Sequence, residues 1–412
     1  YVDEVDEEKM VEASIKAMLK ELDPHSTYLT AKEVEKMNEP LQGNFEGIGV
    51  QFNIADDTLF VIQTVSKGPS EKVGILPGDR IVTVNDTAIA GVKMERDEIV
   101  KRLRGPKGTV ICLGIVRRGY DELLSFNVTR DKIPVNTLDA AYMIAPKVGY
   151  IKISSFGATT HQEFSDALQQ LKAEKMQHLI LDLQGNGGGY LKAAVDMAND
   201  FLKEGQQIVY TEGKNSARSE FFAEGKGQFQ EGRLVVLIDE YSASAAEIVA
   251  GALQDLGRAT IIGQRTYGKG LVQNLRPIAF DGHLKVTTAK YYLPSGRCIQ
   301  AIDYAERQKG HELHRDTAGG ILPDIVLSDS SKLDICYNLY RDHYFFDYAT
   351  IYHRKHASIA KANDFKLSDE DIEDFCKYLD SKNFKYETET GRYFSELLEL
   401  AEKEDIDSVL LT

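Results

Sequence analysis

Near Val148 the hydrophobic rhythm of the chain changes, and this change limits the folds open to it more than any other feature. Residues 148–153 read as a strand, 160–172 as an amphipathic helix through Phe164, Leu168 and Leu171, and 178–183 as a buried strand. The glycine run Gly185-Asn186-Gly187-Gly188-Gly189 then leads into another helix. A buried strand at 234–239, a helix at 244–256 and a strand at 259–263 repeat the pattern. Such alternation implies an α/β layer with a partly parallel sheet. Residues 271–278, the Asp281-Gly282 turn and residues 283–293 predict a hairpin beyond it.

The other segments follow different rules, as expected of a chain of 412 residues, which is too long for one ordinary core. Met10, Val11, Ile15, Met18, Leu19 and Leu22 recur at helical spacing before a stop at Asp23-Pro24. Between 41 and 130 the pattern is one of short β runs, at 48–52, 59–65, 80–84 and 110–116, with one helix at 95–103. That is the size of a small self-contained module. After Pro323-Asp324 the composition turns aromatic and charged, with three helices expected between 333 and 402. The predicted organisation is a helical segment at 1–40, a β domain at 41–130, an α/β core at 131–330 and a helical segment at 331–412.

Composition narrows the function. A formal net charge of −15 disfavours nucleic acid as a partner, since that contact rests on clustered Lys and Arg. No tract of about 18 apolar residues is present to cross a bilayer, so no integral membrane segment is expected in this chain. Cys112, Cys298, Cys336 and Cys376 are widely spaced and suggest neither a zinc ribbon nor a disulfide framework. The first residue is Tyr1, with no export signal after it, which reads as a processed or shortened form.

Two segments carry candidate chemistry. Ser242-Ala243-Ser244-Ala245-Ala246-Glu247 follows a buried strand and opens a helix, which places a hydroxyl at Ser244 on the sheet edge. The unpaired amides of a helix N-terminus stabilise an oxyanion. Ser244 and Glu247 also read as a simple capping box. In Tyr267-Gly268-Lys269-Gly270, the glycine flanks let the backbone pass close to a neighbour and leave Lys269 as the one large group. A lysine acts as general base when its pKa falls from about 10.4 to about 7 or 8. That shift is worth roughly 4 kcal/mol, within reach of a desolvated site. By itself, such a lysine is more often a solvated turn residue. The glycine run offers a further oxyanion donor, but it lacks the Lys-Ser/Thr ending of a phosphate-binding loop.

With these residues in view, the sequence resembles the carboxyl-terminal processing, or tail-specific, proteases over about residues 20–325. Leu22-Asp23-Pro24-His25-Ser26 resembles the family's N-terminal signature, and Gly47-Ile48-Gly49-Val50 resembles the start of a PDZ domain. Asp182-Leu183-Gln184-Gly185-Asn186-Gly187-Gly188 resembles its D-L-R-x-N-x-G-G loop. Residues 242–255, 263–273 and Gly320-Ile321-Leu322-Pro323-Asp324 complete the set. The resemblance implies a crotonase-like (Clp protease-like) α/β core with an inserted PDZ-like β domain and helical N- and C-terminal segments. It implies a serine endopeptidase with Ser244, rather than Ser242, as nucleophile, Lys269 as general base and Gln273 orienting the lysine. The backbone amides of Gly188 and Ala245 are then the oxyanion donors, and Asp255 a structural support. No metal or other cofactor is implied. Two positions depart from the family pattern: Gln184 replaces its usual arginine and Ala246 its usual third serine. Neither removes a reacting group, so changes in stability or substrate preference are expected.

For the PDZ-like domain the expectation is a groove between the strand at 48–52 and the helix at 95–103. Amides of Gly47, Ile48, Gly49 and Val50 would hold the carboxylate of an apolar C-terminal tail; the plainer reading is a tight glycine turn. Protein or peptide substrates with such tails are the partners implied, and the resemblance suggests a periplasmic or cell-envelope location and leaves a homo-oligomer open. His353, His356 and the His311-Glu312-Leu313-His314 run, which is one residue short of H-E-x-x-H, read as surface residues, and His25 as a packing or hydrogen-bonding residue. The rivals are a catalytically silent peptide-binding scaffold, and an acyl-CoA enzyme of the crotonase type that would leave the PDZ-like domain unexplained.

Overall fold

The computed structural model describes residues 2, 4–55, 57–278, 281–304, 319–327, 334–356, 358–360 and 364–386. The His311-Glu312-Leu313-His314 run lies outside them. The chain forms two units, Tyr1–Glu46 with Lys132–Ser328 and Gly47–Asp131 with Asp329–Thr412.

In the first unit the alternation that begins near Val148 produces a six-stranded sheet. Its order is Leu138–Ala145, Val148–Ile153, His178–Asp182, Leu234–Ile238, Thr260–Gly263 and Ile325–Val326. The first pair is antiparallel and every later pair parallel. Strand residues Ile151, Ile153, Leu181, Val236, Ile238 and Ile261 are fully buried against Phe164 and Leu168 of helix Thr160–Ala173, Met197 of Leu191–Asn199 and Leu253 of Ala245–Asp255. Each such side chain removed from water is worth about 1.5–3 kcal/mol before entropy is counted. A second, antiparallel sheet runs in the order Thr27–Leu29, His283–Tyr292, Gln207–Gly213 and Ser216–Phe222, with Leu271–Pro277 also paired to His283–Tyr292. Thr27 stands opposite Lys285, which fastens the N-terminal segment to this sheet.

The second unit is built on a sheet ordered Val50–Ala55, Thr58–Thr64, Arg80–Val84, Val110–Val116 and Leu124–Thr129, with Thr87–Ala88 paired to Arg80–Val84. Leu59, Val61, Ile81, Ile111, Leu113 and Ile115 make its core with Ile99 and Leu103 of helix Arg96–Leu103. The first strand begins later than the predicted 48–52 because Gly49 turns to φ 71°. Helices Asp334–Arg341, Tyr344–Lys355 and Asp369–Ser381 occupy the expected C-terminal helical region. Phe346 and His343 set their rings 5.2 Å from that of Phe60 on the sheet.

Candidate active site

Strands His178–Asp182, Leu234–Ile238 and Thr260–Gly263 are parallel neighbours, and the loops leaving their carboxyl ends carry the glycine run, Ser244 and Lys269. Crevices outside the carboxyl ends of parallel strands are where such sheets place their sites. Sheet order therefore brings together three segments that are remote in sequence.

Ser244 is the joint between strand and helix. It stands at φ 55° and ψ −111°, and the helix begins at Ala245. A non-glycine residue held in such backbone stores on the order of 1–3 kcal/mol. A sharp strand-to-helix turn of this kind presents a hydroxyl at its apex. Ser244 is partly exposed between buried Ala243 and Ala245. Ser242 is fully buried, and its hydroxyl donates to the Leu183 carbonyl at 2.8 Å while accepting the Asp239 amide at 3.0 Å. It acts as a clasp between loops, which leaves Ser244 as the accessible serine.

Glu247 does far more than cap the helix. Fully buried, its carboxylate accepts the Ser244 amide at 2.7 Å and the Lys269 amide at 2.9 Å on one oxygen. The other oxygen accepts the Thr266 hydroxyl at 2.5 Å and the Gly268 amide at 2.7 Å. Burial pushes its pKa above the usual carboxylate value, and the four hydrogen bonds oppose that rise. The Tyr267 amide, donating to the Ser242 carbonyl at 3.0 Å, makes a second stitch between the two segments.

Lys269 is half-buried. Burial, then the charge of Lys285, holds its pKa below the ordinary lysine value, with Glu247 acting in the opposite direction. Its glycine flanks are required by space. A Cβ on Gly268 would stand 2.3 Å from the Ala301 Cβ, and one on Gly270 2.3 Å from the Gln300 amide nitrogen. Gln273 sits opposite Thr287 beside a register shift, and its side-chain nitrogen donates to the Thr287 hydroxyl at 3.4 Å. The structure thus places this amide on Thr287 and not on Lys269.

The glycine run abuts the turn at Ser244. A Cβ on Gly188, at φ 99°, would lie 2.8 Å from the Ser244 Cβ and 3.0 Å from the Ala245 nitrogen. The Gly188 amide, however, donates to Asn186 Oδ1 at 2.9 Å. The Ala245 amide donates to no protein group among the described residues and stands at the helix N-terminus. Asp255 closes the far end of that helix, about 15 Å away at 1.5 Å per residue. There it accepts the Ser295 amide at 3.0 Å and pairs with Arg297 at 2.8 Å. Gln184 is exposed, and Lys152 reaches its carbonyl at 3.3 Å; Ala246 is wholly inside the helix core.

In the second unit, the Ile48 carbonyl accepts the Ser70 amide and hydroxyl at 3.1 and 2.7 Å, and the Gly49 carbonyl accepts the Val65 amide at 2.9 Å. These bonds fix the Gly47-Ile48-Gly49-Val50 segment at the start of an edge strand. Arg96, at the start of helix Arg96–Leu103, lies 5.1 Å from the Phe52 ring centroid, so helix and strand flank one another as a groove requires.

Sequence reasoning read Glu247 only as a cap and did not single out Thr266, Lys285 or Thr287. Nothing in their local spacing marks them, because their partners are reached across loops and strands. His353 is exposed, and His356 Nδ1 lies 2.9 Å from the Tyr352 carbonyl. Among the described residues, no helix is long and apolar enough to cross a membrane.

Residues 147–327 match Peptidase family S41, residues 36–116 the PDZ domain, and residues 335–410 the C-terminal helical domain described for a probable PDZ-protease. A carboxy-terminal-processing protease of Bartonella bacilliformis is 36% identical over 332 residues, covering 79% of this chain and 71% of the relative. The carboxy-terminal processing protease CtpB of Bacillus subtilis is 33% identical over 304 residues, covering 73% of this chain but only 62% of the relative. Among solved structures, a photosystem II D1 C-terminal processing protease is 26% identical, with a TM-score of 0.48 over 80% of this chain and 84% of its own. By its sequence relatives and by the order of its matched domains, the chain belongs to the carboxy-terminal-processing proteases of peptidase family S41.

Proposed function

We propose that the protein is a serine endopeptidase that cuts protein substrates near their C-terminal tails with Ser244 and Lys269. The observation that carries this reading is the Glu247 carboxylate, one oxygen of which holds the amides of both residues. A desolvated lysine is thereby anchored beside a serine that stands on a strained turn. Neutral Lys269 takes the Ser244 proton as Oγ attacks the peptide carbonyl carbon. The oxyanion forms against the Ala245 amide, and the Lys269 ammonium returns the proton to the leaving amine. Water, deprotonated by the same amine, then splits the acyl ester and restores Ser244. The Gly188 amide joins as a second donor on leaving Asn186, and Gln273 steadies the lysine through the strand that carries it.

The PDZ domain captures the tail by strand addition to the edge at Val50–Ala55, with the terminal carboxylate at the amides of Gly47, Ile48, Gly49 and Val50. Substrates ending in apolar residues fit this mode, and an exported, periplasmic or envelope-associated setting belongs to the same reading.

The test is mass spectrometry of a peptide ending in small apolar residues, incubated with the protein and with Ser244→Ala and Lys269→Ala variants. Loss on the order of 10⁶ in kcat is expected from removing the nucleophile. Equal turnover by the Ser244→Ala protein would contradict Ser244 as nucleophile, and absence of turnover in both would leave the silent-scaffold reading in its place. Removing residues 41–130 should abolish preference for tails, and an unchanged preference would contradict the assigned role of the PDZ domain.

A further inference from the structure

Asp23, in the N-terminal signature, is a buried carboxylate at 7% exposure. Its Oδ1 accepts the amides of His25 and Ser26, both at 2.8 Å, and its Oδ2 accepts the Ser26 hydroxyl at 2.8 Å. With its proton committed to Asp23, the Ser26 hydroxyl presents lone pairs to its other neighbour, and it accepts the Thr287 amide at 3.1 Å. The Thr287 hydroxyl is in turn the acceptor for Gln273. One residue further along the turn, Thr27 stands opposite Lys285, whose charge acts on Lys269. His25 places its ring edge-on to Tyr304, with centroids 5.7 Å apart.

A turn closed only for its own sake would end its hydrogen bonds on its own backbone. This one passes them to the strand beneath Gln273. We propose that the turn at 23–26 is a positioning element of the catalytic site, in which Asp23 orients Ser26, Ser26 fixes strand His283–Tyr292, and Thr287 on that strand sets Gln273. The proposal rests on the Ser244/Lys269 reading. The charged groups that act on Lys269 are Lys285 on the strand and Glu247 on the helix that Ser244 opens, and those that act on His25 are Lys269, Asp23 and Lys285. His25 is itself held below the ordinary histidine value by burial and then by the charge of Lys269. Loosening the turn admits water to the lysine, which then accepts a proton more readily.

The experiment compares kcat, KM and the pH profile of kcat/KM for the full chain and for Ser26→Ala and Thr287→Val, with Ser26→Thr and Thr287→Ser as conservative partners. Rates are normalised to the fraction of Ser244 labelled by a fluorophosphonate, which corrects for misfolded protein. The expected result for Ser26→Ala and Thr287→Val is a kcat lowered about 10- to 100-fold at neutral pH, the scale of a misplaced reacting group, with KM little changed. Their acid limb of kcat/KM should move to higher pH by about half a unit or more, as rehydration of a buried lysine requires. Thr287→Ser should restore both. A role in folding alone would scale the rate at every pH and leave the limb in place. Unmoved limbs in both variants, or a Thr287→Ser protein no better than Thr287→Val, would overturn the proposal. If wild type and Ser244→Ala turn over alike, the protease reading itself falls and this proposal falls with it. Ser244-dependent turnover with coincident limbs sinks the positioning role alone.

Discussion

Replacing Glu247 by alanine would strip the acceptor from four donors at once: the amides of Ser244, Gly268 and Lys269 and the hydroxyl of Thr266. Each buried donor left unpaired costs about 1–3 kcal/mol, and losses that share one partner do not simply add. Glu247→Ala should therefore lower the melting temperature of the protein and abolish turnover. An active enzyme of unchanged stability would show that Glu247 does not hold the site together. Lys269 permits a signed prediction. Its pKa lies below the ordinary value of 10.5, so the neutral, basic fraction grows as pH rises through the lowered value. The kcat/KM profile should show an acid limb below that ordinary value. Between the lowered value and 10.5 the unfolded chain binds more protons at this position, so the lysine's contribution favours the folded state increasingly as pH rises through that window. Lys285→Met removes a nearby cation and should move the acid limb to higher pH, as pH–rate profiles will show; a shift to lower pH would mean that Lys285 does not act on Lys269 through its charge.

At the scale of elements, the glycine loop and the helix opened by Ser244 are bound by their close approach. At Gly188 the atoms that would meet a Cβ within 2.8 to 3.0 Å include the Ala243 carbonyl, the Ser244 Cβ and the Ala245 nitrogen, and φ is already 99°. Two of these are backbone atoms and cannot swing aside as a flexible side chain does. Gly188→Ala should cost at least about 10²-fold in kcat by displacing Ser244, with the far-UV circular dichroism spectrum retained. Near-normal activity would place the loop further from Ser244 than the geometry shows. That a loop and a helix end would meet was legible in the sequence only through the resemblance, whereas the elements themselves were legible from periodicity. Arg80–Val84, Val110–Val116 and Val148–Ile153 lie where alternation or an apolar run predicts them. Ser216–Phe222 was not read as a strand, because most of its side chains face solvent and it is held by pairing with Gln207–Gly213. Likewise Ser244 and Lys269 stood out through their glycine and serine neighbours. Thr266, Thr287 and Lys285 did not, since their partners are reached across loops and strands.

Over the whole molecule, periodicity divides the chain into four consecutive segments, and the structure gathers these into two units with separate cores. The regrouping depends on contacts that no local window contains. Thr27 pairs with Lys285 in the first unit, and Phe60 meets Phe346 and His343 in the second. Phe60 lies on the sheet of the PDZ unit and is only 8% exposed, so the C-terminal helices of that unit supply part of the cover over an apolar side chain. Truncating it should open a gap between sheet and helices and destabilise the second unit by about 3 kcal/mol, the low end for a buried phenylalanine. Among the described residues, none of the 36 buried side chains that make the core of the first unit belongs to the second, so its stability should not follow. Hydrogen exchange on the Phe60→Ala protein separates these expectations. Amides of strands Thr58–Thr64 and Arg80–Val84 and of helix Tyr344–Lys355 should lose protection together, while those of Val148–Ile153 and Leu234–Ile238 keep theirs. Loss of protection in the parallel sheet as well would mean that the two cores unfold as one, and unchanged exchange in helix Tyr344–Lys355 would mean that the C-terminal helices stand without Phe60.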